Sequence, residues 1–157
     1  MSKQKRKDIQ ECPKVFLDTN VLLSAIFWPN GKAHRAVQKA LLECTVFTSD
    51  YVLLELKRGA GVRFPGESWR IDRFFRLTKF RILVLDTPEL PTKEEELVRD
   101  SDDRLIVRAA VHEGIDVILS GDLDLREAGF TYPKVLNAHE FLTWNDTGES
   151  NSPPKTA

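Results

Sequence analysis

Lys14-Val15-Phe16-Leu17-Asp18-Thr19-Asn20-Val21-Leu22-Leu23 is the stretch on which the reading of the fold turns. A short apolar run stops abruptly at an acid, which reads as a buried strand over residues 14–17. Asp18, Thr19 and Asn20 then supply capping side chains for a helix beginning at Val21-Leu22-Leu23. The same order of features returns a hundred residues later. Asp116-Val117-Ile118-Leu119 reads as a strand, Ser120-Gly121-Asp122 ends it, and a short helix follows.

Between these two landmarks, helices and strands alternate. Pro29-Asn30-Gly31 is a turn, and Ala33, Val37, Ala40 and Leu41 share one face of a helix ending near Glu43. Residues 45–48 predict a second strand, and Ser49-Asp50 a cap for a helix through Leu56. Ser68 is placed to cap the next helix, with Trp69, Ile71, Phe74, Phe75 and Leu77 as its apolar residues. Residues 81–85 form a third strand. Pro88 and Pro91 break the chain before an acidic segment able to start a helix. Ser101-Asp102-Asp103 opens the clearest helix, with Gly114 near its end. Residues 134–136 give a fifth strand, and Asn137-Ala138-His139-Glu140 has the form of a capping box. The strands are apolar on both parities, so the fold class is α/β, with a parallel sheet covered on both faces.

The chain has 157 residues, 41% hydrophobic and 30% charged, which suits one globular domain and excludes a disordered or collagen-like chain. No apolar run approaches the length of a membrane span. Cys12 and Cys44 make neither a disulfide framework nor a metal spacing, which points to a reducing cytoplasm. The basic residues at the start precede no apolar segment, so residues 1–13 read as an extension, not a signal peptide. Residues 14–144 are the expected domain, and residues 145–157 a flexible polar tail.

The net charge of −1 argues at first against a nucleic-acid partner. It hides a segregation. Residues 57–81 hold eight basic residues against two acidic ones, and residues 86–103 the reverse. In the basic stretch Arg70, Arg73 and Arg76 recur every three residues, interleaved with Trp69, Phe74, Phe75 and Phe80. Such arginines, with Arg58, suit a phosphate backbone, and an exposed Trp suits a stacked base. A solvated helix face explains the same arginines equally well, and Phe74, Phe75 and Phe80 are expected in the core.

Chemistry is sought where strands end. In open parallel sheets, ligands sit at the carboxyl ends of strands beside a topological switch point. Asp18 and Asp122 occupy that position on their strands, although each also suits a plain helix cap. Asp100, Asp102 and Asp103 cluster at one helix start, and position alone does not choose among them. Glu55 lies in the apolar run Tyr51-Val52-Leu53-Leu54-Glu55-Leu56, facing either a cleft or solvent. Separated acids on one scaffold suggest hard oxygen ligands for Mg²⁺ or Mn²⁺, because a carboxylate cluster repels itself unless a cation neutralises it.

These residues carry a resemblance. Val15-Phe16-Leu17-Asp18-Thr19-Asn20-Val21-Leu22-Leu23-Ser24-Ala25 resembles the first motif of PIN domains, the metal-dependent nuclease family that contains VapC-type toxins. Ser49 through Leu56 resembles the second, with Glu55 as its acid. Asp103-Arg104-Leu105-Ile106-Val107-Arg108-Ala109-Ala110 resembles the third, a register that selects Asp103. Ile118-Leu119-Ser120-Gly121-Asp122-Leu123-Asp124-Leu125 resembles the fourth. The likeness runs from about Lys14 to Leu142. It implies a three-layer α/β/α sandwich around a parallel sheet of about five strands. It implies that Asp18, Glu55, Asp103 and Asp122 are catalytic and hold Mg²⁺ or Mn²⁺, with Asp124 as a further ligand and Asn20 and Ser120 orienting the carboxylates. It also implies an endoribonuclease acting on RNA, the toxin of a toxin–antitoxin pair, with a cognate antitoxin and a homodimer as partners. The alternatives are a PIN nuclease of RNA processing and a catalytically silent RNA- or protein-binding module.

Overall fold

A computed structural model describes residues 12–145. Nearly all of the expected extension (1–13) and polar tail (145–157) lies outside the described residues. The chain runs β1 (Lys14–Leu17), α1 (Thr19–Phe27), α2 (Lys32–Glu43), β2 (Thr45–Ser49), α3 (Asp50–Arg63), α4 (Trp69–Leu77) and β3 (Ile82–Leu85). A 3₁₀ turn (Glu94–Leu97) then leads to α5 (Ser101–Glu113), β4 (Val117–Leu119), α6 (Leu123–Arg126), β5 (Lys134–Leu136) and α7 (Ala138–Thr143).

All four strand pairings are parallel, in the order β3-β2-β1-β4-β5. From β1 the chain steps outward through β2 to β3, then crosses back to add β4 and β5 on the other side. Right-handed crossovers that change direction in this way place helices on both faces, giving the three-layer α/β/α sandwich. The centre is β1 and β4, where Val15, Phe16, Leu17, Val117, Ile118 and Leu119 are all buried. Among the described residues, no helix is long and apolar enough to cross a membrane.

The structure departs from the sequence expectations in several places. Helix α3 continues past Leu56 to Arg63 through Gly59 and Gly61, each of which costs roughly 1 kcal/mol in a helix interior. Tertiary packing outweighs that cost. Ala60 is fully buried, a Cβ on Gly59 would lie only 3.9 Å from Leu23 of α1, and Phe64 at the end stacks on Phe27 at 4.1 Å. Ser68 makes no side-chain cap, because its own backbone is already helical. The acidic segment yields one 3₁₀ turn instead of a helix. Coverage of the sheet also fails at its margin: Leu83 and Val84 on edge strand β3 are about half exposed. Phe80, expected in the core, is 85% exposed with a positive φ, whereas Phe74 and Phe75 do pack against the core.

Candidate functional site

The switch in strand order falls between β1 and β4, so a crevice opens at their carboxyl ends. Register makes it exact enough for side chains to meet. Leu17 pairs with Leu119, and the Asp18 N–H donates to the Leu119 carbonyl at 3.1 Å. Asp18 and Ser120 therefore leave adjacent strands side by side.

Asp18 is only 3% exposed. Its Oδ1 accepts from the Thr19 N–H at 2.7 Å, capping α1, and its Oδ2 accepts from Ser120 Oγ at 2.6 Å. Ser120 Oγ in turn accepts from the Asp122 N–H at 3.1 Å, which leaves its own proton for Asp18. Burial raises the Asp18 pKa, with the Asp122 charge adding to it, against the lowering effect of those two hydrogen bonds. Asp122 caps α6, its Oδ1 accepting from the Asp124 N–H at 2.9 Å. Capping and site-building are thus not rival roles. The cap fixes the carboxylate at the crevice.

Asp103 arrives from α5, whose N-cap is Asp100. It is half-buried, and its Oδ2 is buried without a hydrogen-bond donor. Burial comes first, then the charge and carboxyl of Asp122, then Asp18 and Asp100, in pushing its pKa up to about 8. Glu55, half-buried on α3, also has a raised pKa, from burial and then from the Asp18 charge, with a Tyr51 hydrogen bond opposing. Asp18, Asp103 and Asp122 therefore sense one another, and Glu55 senses Asp18, although the four come from four different elements.

The remaining expected residues separate. Asp124 is exposed and meets Asp122 through its backbone. Asn20 is exposed in the first turn of α1, and the side-chain hydrogen bond to Asp18 comes from Ser120. Arg58, Arg73 and Arg76 are exposed, whereas Arg70 is engaged with Glu67 at 3.5 Å and lies 4.9 Å over the Phe27 ring. Arg70 and Arg73 line a groove of about 380 Å³ with Trp69, Leu77 and Arg81. Arg81 immediately precedes β3, so this groove opens at the opposite end of the sheet from the acids.

Sequence reasoning missed Tyr51, whose hydroxyl reaches both Asp102 and Glu55 and whose pKa is raised by burial and by those acids. Its position four residues before Glu55, hence on the same helix face, was the available signal.

An unpaired buried oxygen on Asp103, beside like charges, fits a divalent cation. The fit is one of charge and donor chemistry alone, since among the described residues no group of three or more His, Cys, Asp or Glu side chains is placed to hold a metal ion.

A parallel α/β sandwich with carboxylates beside its switch point defines a class of protein. Residues 14–124 match the family model of the PIN domain, and the chain belongs to that family. No curated protein matches it by sequence. Similar folds occur in VapBC2 from Rickettsia felis, solved with a DNA fragment from its promoter (TM-score 0.61, 18% identity, 79% of this chain and 98% of that one). They occur in VapC20 of Mycobacterium tuberculosis, a sarcin–ricin loop cleaving toxin (TM-score 0.55, 21% identity, 74% and 95%). FitAcB from Neisseria gonorrhoeae is a third (TM-score 0.54, 20% identity, 80% and 98%). At these identities the likeness is one of fold.

Proposed function

We propose that the protein is a Mg²⁺- or Mn²⁺-dependent endoribonuclease that hydrolyses RNA phosphodiester bonds in the cytoplasm, as the toxin of a toxin–antitoxin pair. The observation that carries the reading is the mutual crowding of Asp18, Asp103 and Asp122, with Glu55 coupled to Asp18, beside the switch point of a PIN fold. Asp18, Asp103 and Asp122 would hold the cation, with Glu55 binding it or positioning the attacking water. When bound, such an ion lowers the pKa of water and stabilises charge on phosphorus. Ser120 and the Thr19 N–H keep Asp18 in one rotamer aimed at the crevice, the role of outer partners around a ligating carboxylate. The toxin role is supported by the likeness to VapBC and FitAB assemblies and to a sarcin–ricin loop cleaving toxin.

The test is cleavage of single-stranded RNA with Mn²⁺ by the parent, Asp18→Asn and Asp122→Asn. The parent should cut and both variants should be severely impaired. Variants as fast as the parent would defeat the assignment, and RNA binding without cleavage at any Mg²⁺ or Mn²⁺ level would favour a silent module. Expression of the active chain alone should arrest growth, and coexpression of the neighbouring small open reading frame should relieve it. Unimpaired growth would leave a nuclease of RNA processing.

A further inference from the structure

Helix α5 has a second working face, turned away from the acids. Arg104, Arg108 and His112 lie four residues apart, in one row along the helix. All three reach back to the same preceding segment, residues 88–98. Arg104 Nε donates to the Val98 carbonyl at 2.7 Å, and His112 Nε2 lies 2.9 Å from the Leu90 carbonyl. Between them Arg108 makes the strongest attachment. Its Nε and Nη2 donate to the two Glu95 oxygens at 3.0 and 2.9 Å, and its Nη1 donates to the Pro88 carbonyl at 3.2 Å. Glu95 is 4% exposed and also accepts from the Thr92 N–H and hydroxyl. Burial alone would raise its pKa, yet the bonds from Arg108 and Thr92 hold it below the ordinary value.

A buried fork of this kind is an inefficient way to stabilise a fold, because a well-packed apolar pair often does as well. It does fix geometry. Asp103 stands about 100° round the helix from Arg104 and about 140° from Arg108, at 3.6 residues per turn. Asp103 sits in the first turn of α5, and the row of ties on the other side fixes the helix rotation that decides where it points.

We propose that Glu95 and Arg108 are a positioning pair: they fix the rotation of α5 so that Asp103 faces Asp122 and Asp18, and thereby set the affinity of the cluster for a divalent cation. This rests on the metal-dependent reading above.

Mn²⁺ binding, followed by the resonance of free Mn²⁺, and amide exchange are measured on the parent, Arg108→Lys and the double variant Glu95→Leu/Arg108→Met. The double variant should melt close to the parent yet bind Mn²⁺ about 10-fold or more weakly, the effect typical of a lost outer partner. Amides of residues 104–107 should exchange faster, with those of β1 unchanged. Arg108→Lys, keeping the charge without the fork, should fall between. A folded variant with parental Mn²⁺ affinity and parental exchange would overturn the pairing, and Arg108→Lys serves for this comparison if the double variant does not fold. A parent that binds no Mn²⁺ would overturn the functional reading itself, and the pairing with it.

Discussion

The acidic stretch 86–103 and the basic stretch 57–81 carry equal and opposite charge surpluses, but the fold treats them differently. The acidic one is drawn in only in part, at a few residues that the fold engages, while Asp86, Glu89, Glu96 and Asp102 stay exposed. Glu95 is buried against Arg108, Asp100 caps α5, and Asp103 is pressed towards Asp122 and Asp18. The basic one is spread outward over the end of α3, over α4 and over the turn into β3, with Lys57, Arg58, Arg63, Arg73, Arg76 and Lys79 all exposed. Arg70 is tied to Glu67 and the Phe27 ring, and Arg81 donates to the Leu41 carbonyl at 3.5 Å. Charge that is buried and crowded stores electrostatic free energy that a ligand can release, whereas charge held in water is screened and contributes chiefly to attraction at a distance. Substitutions in the acidic cluster should therefore have large, site-specific effects, and substitutions in the basic surface small, salt-dependent ones.

The largest effect is expected from Asp103→Asn. Outer partners of metal ligands are worth about 10–100-fold, so loss of a ligating carboxylate should reduce Mn²⁺-dependent RNA cleavage by more than about 100-fold. The same substitution checks the electrostatics independently. A carboxyl whose pKa rises from 3.8 unfolded to about 8 folded stabilises the protein fully at low pH and loses that contribution as pH climbs through this window. The metal-free parent should thus lose thermal stability between pH 5 and pH 8.5, and Asp103→Asn should flatten that slope. Mn²⁺ affinity should move the other way, rising over the same range, because protons and cations compete for the same oxygens. A pH-independent parent would show that the carboxylates are not crowded.

Next in size is Ser120→Ala. It removes the 2.6 Å bond to Asp18 and leaves a buried acceptor short of a partner. Mn²⁺ affinity should fall about 10–100-fold by titration calorimetry, and stability by about 1–3 kcal/mol in denaturant unfolding. Retained affinity would reduce Ser120 to a structural contact.

The smallest effect belongs to the basic surface. Arg73→Gln with Arg76→Gln should raise KM for RNA a few-fold at low salt and leave kcat unchanged. The logarithmic salt slope of binding should flatten by no more than about 1.4 for two lost contacts to a single strand. A large fall in kcat would erase the contrast between the two regions and bring the arginines into the crevice.

Much of this molecule was legible in its sequence. Helix and strand alternation announced the parallel sheet, and Asp18 and Asp122 stood out because each ends an apolar run. Glu55 and Asp103 were chosen by family register, which periodicity could not supply. Arg108 lay in plain view within the third motif, but its partner Glu95 was hidden in an acidic run that resembles solvated surface. Nothing local distinguishes Glu95 from Glu94 or Glu96, and only the approach of α5 buries one of the three. Helix α3 teaches the same lesson in reverse. Its two glycines weaken it locally, and contacts with Leu23 and Phe27 carry it on to Arg63.

What the sequence determined by itself was the set of elements and the chemistry at their ends, because apolar period and capping residues act over a few neighbours. What the tertiary structure decided was which ends meet. Strand order brings β1 beside β4, and the pairing of Leu17 with Leu119 sets Ser120 against Asp18 across 102 residues of chain. Burial then turns scattered carboxylates into an interacting cluster. That step depends on a low-dielectric crevice between neighbouring strands, which no single segment of the chain contains.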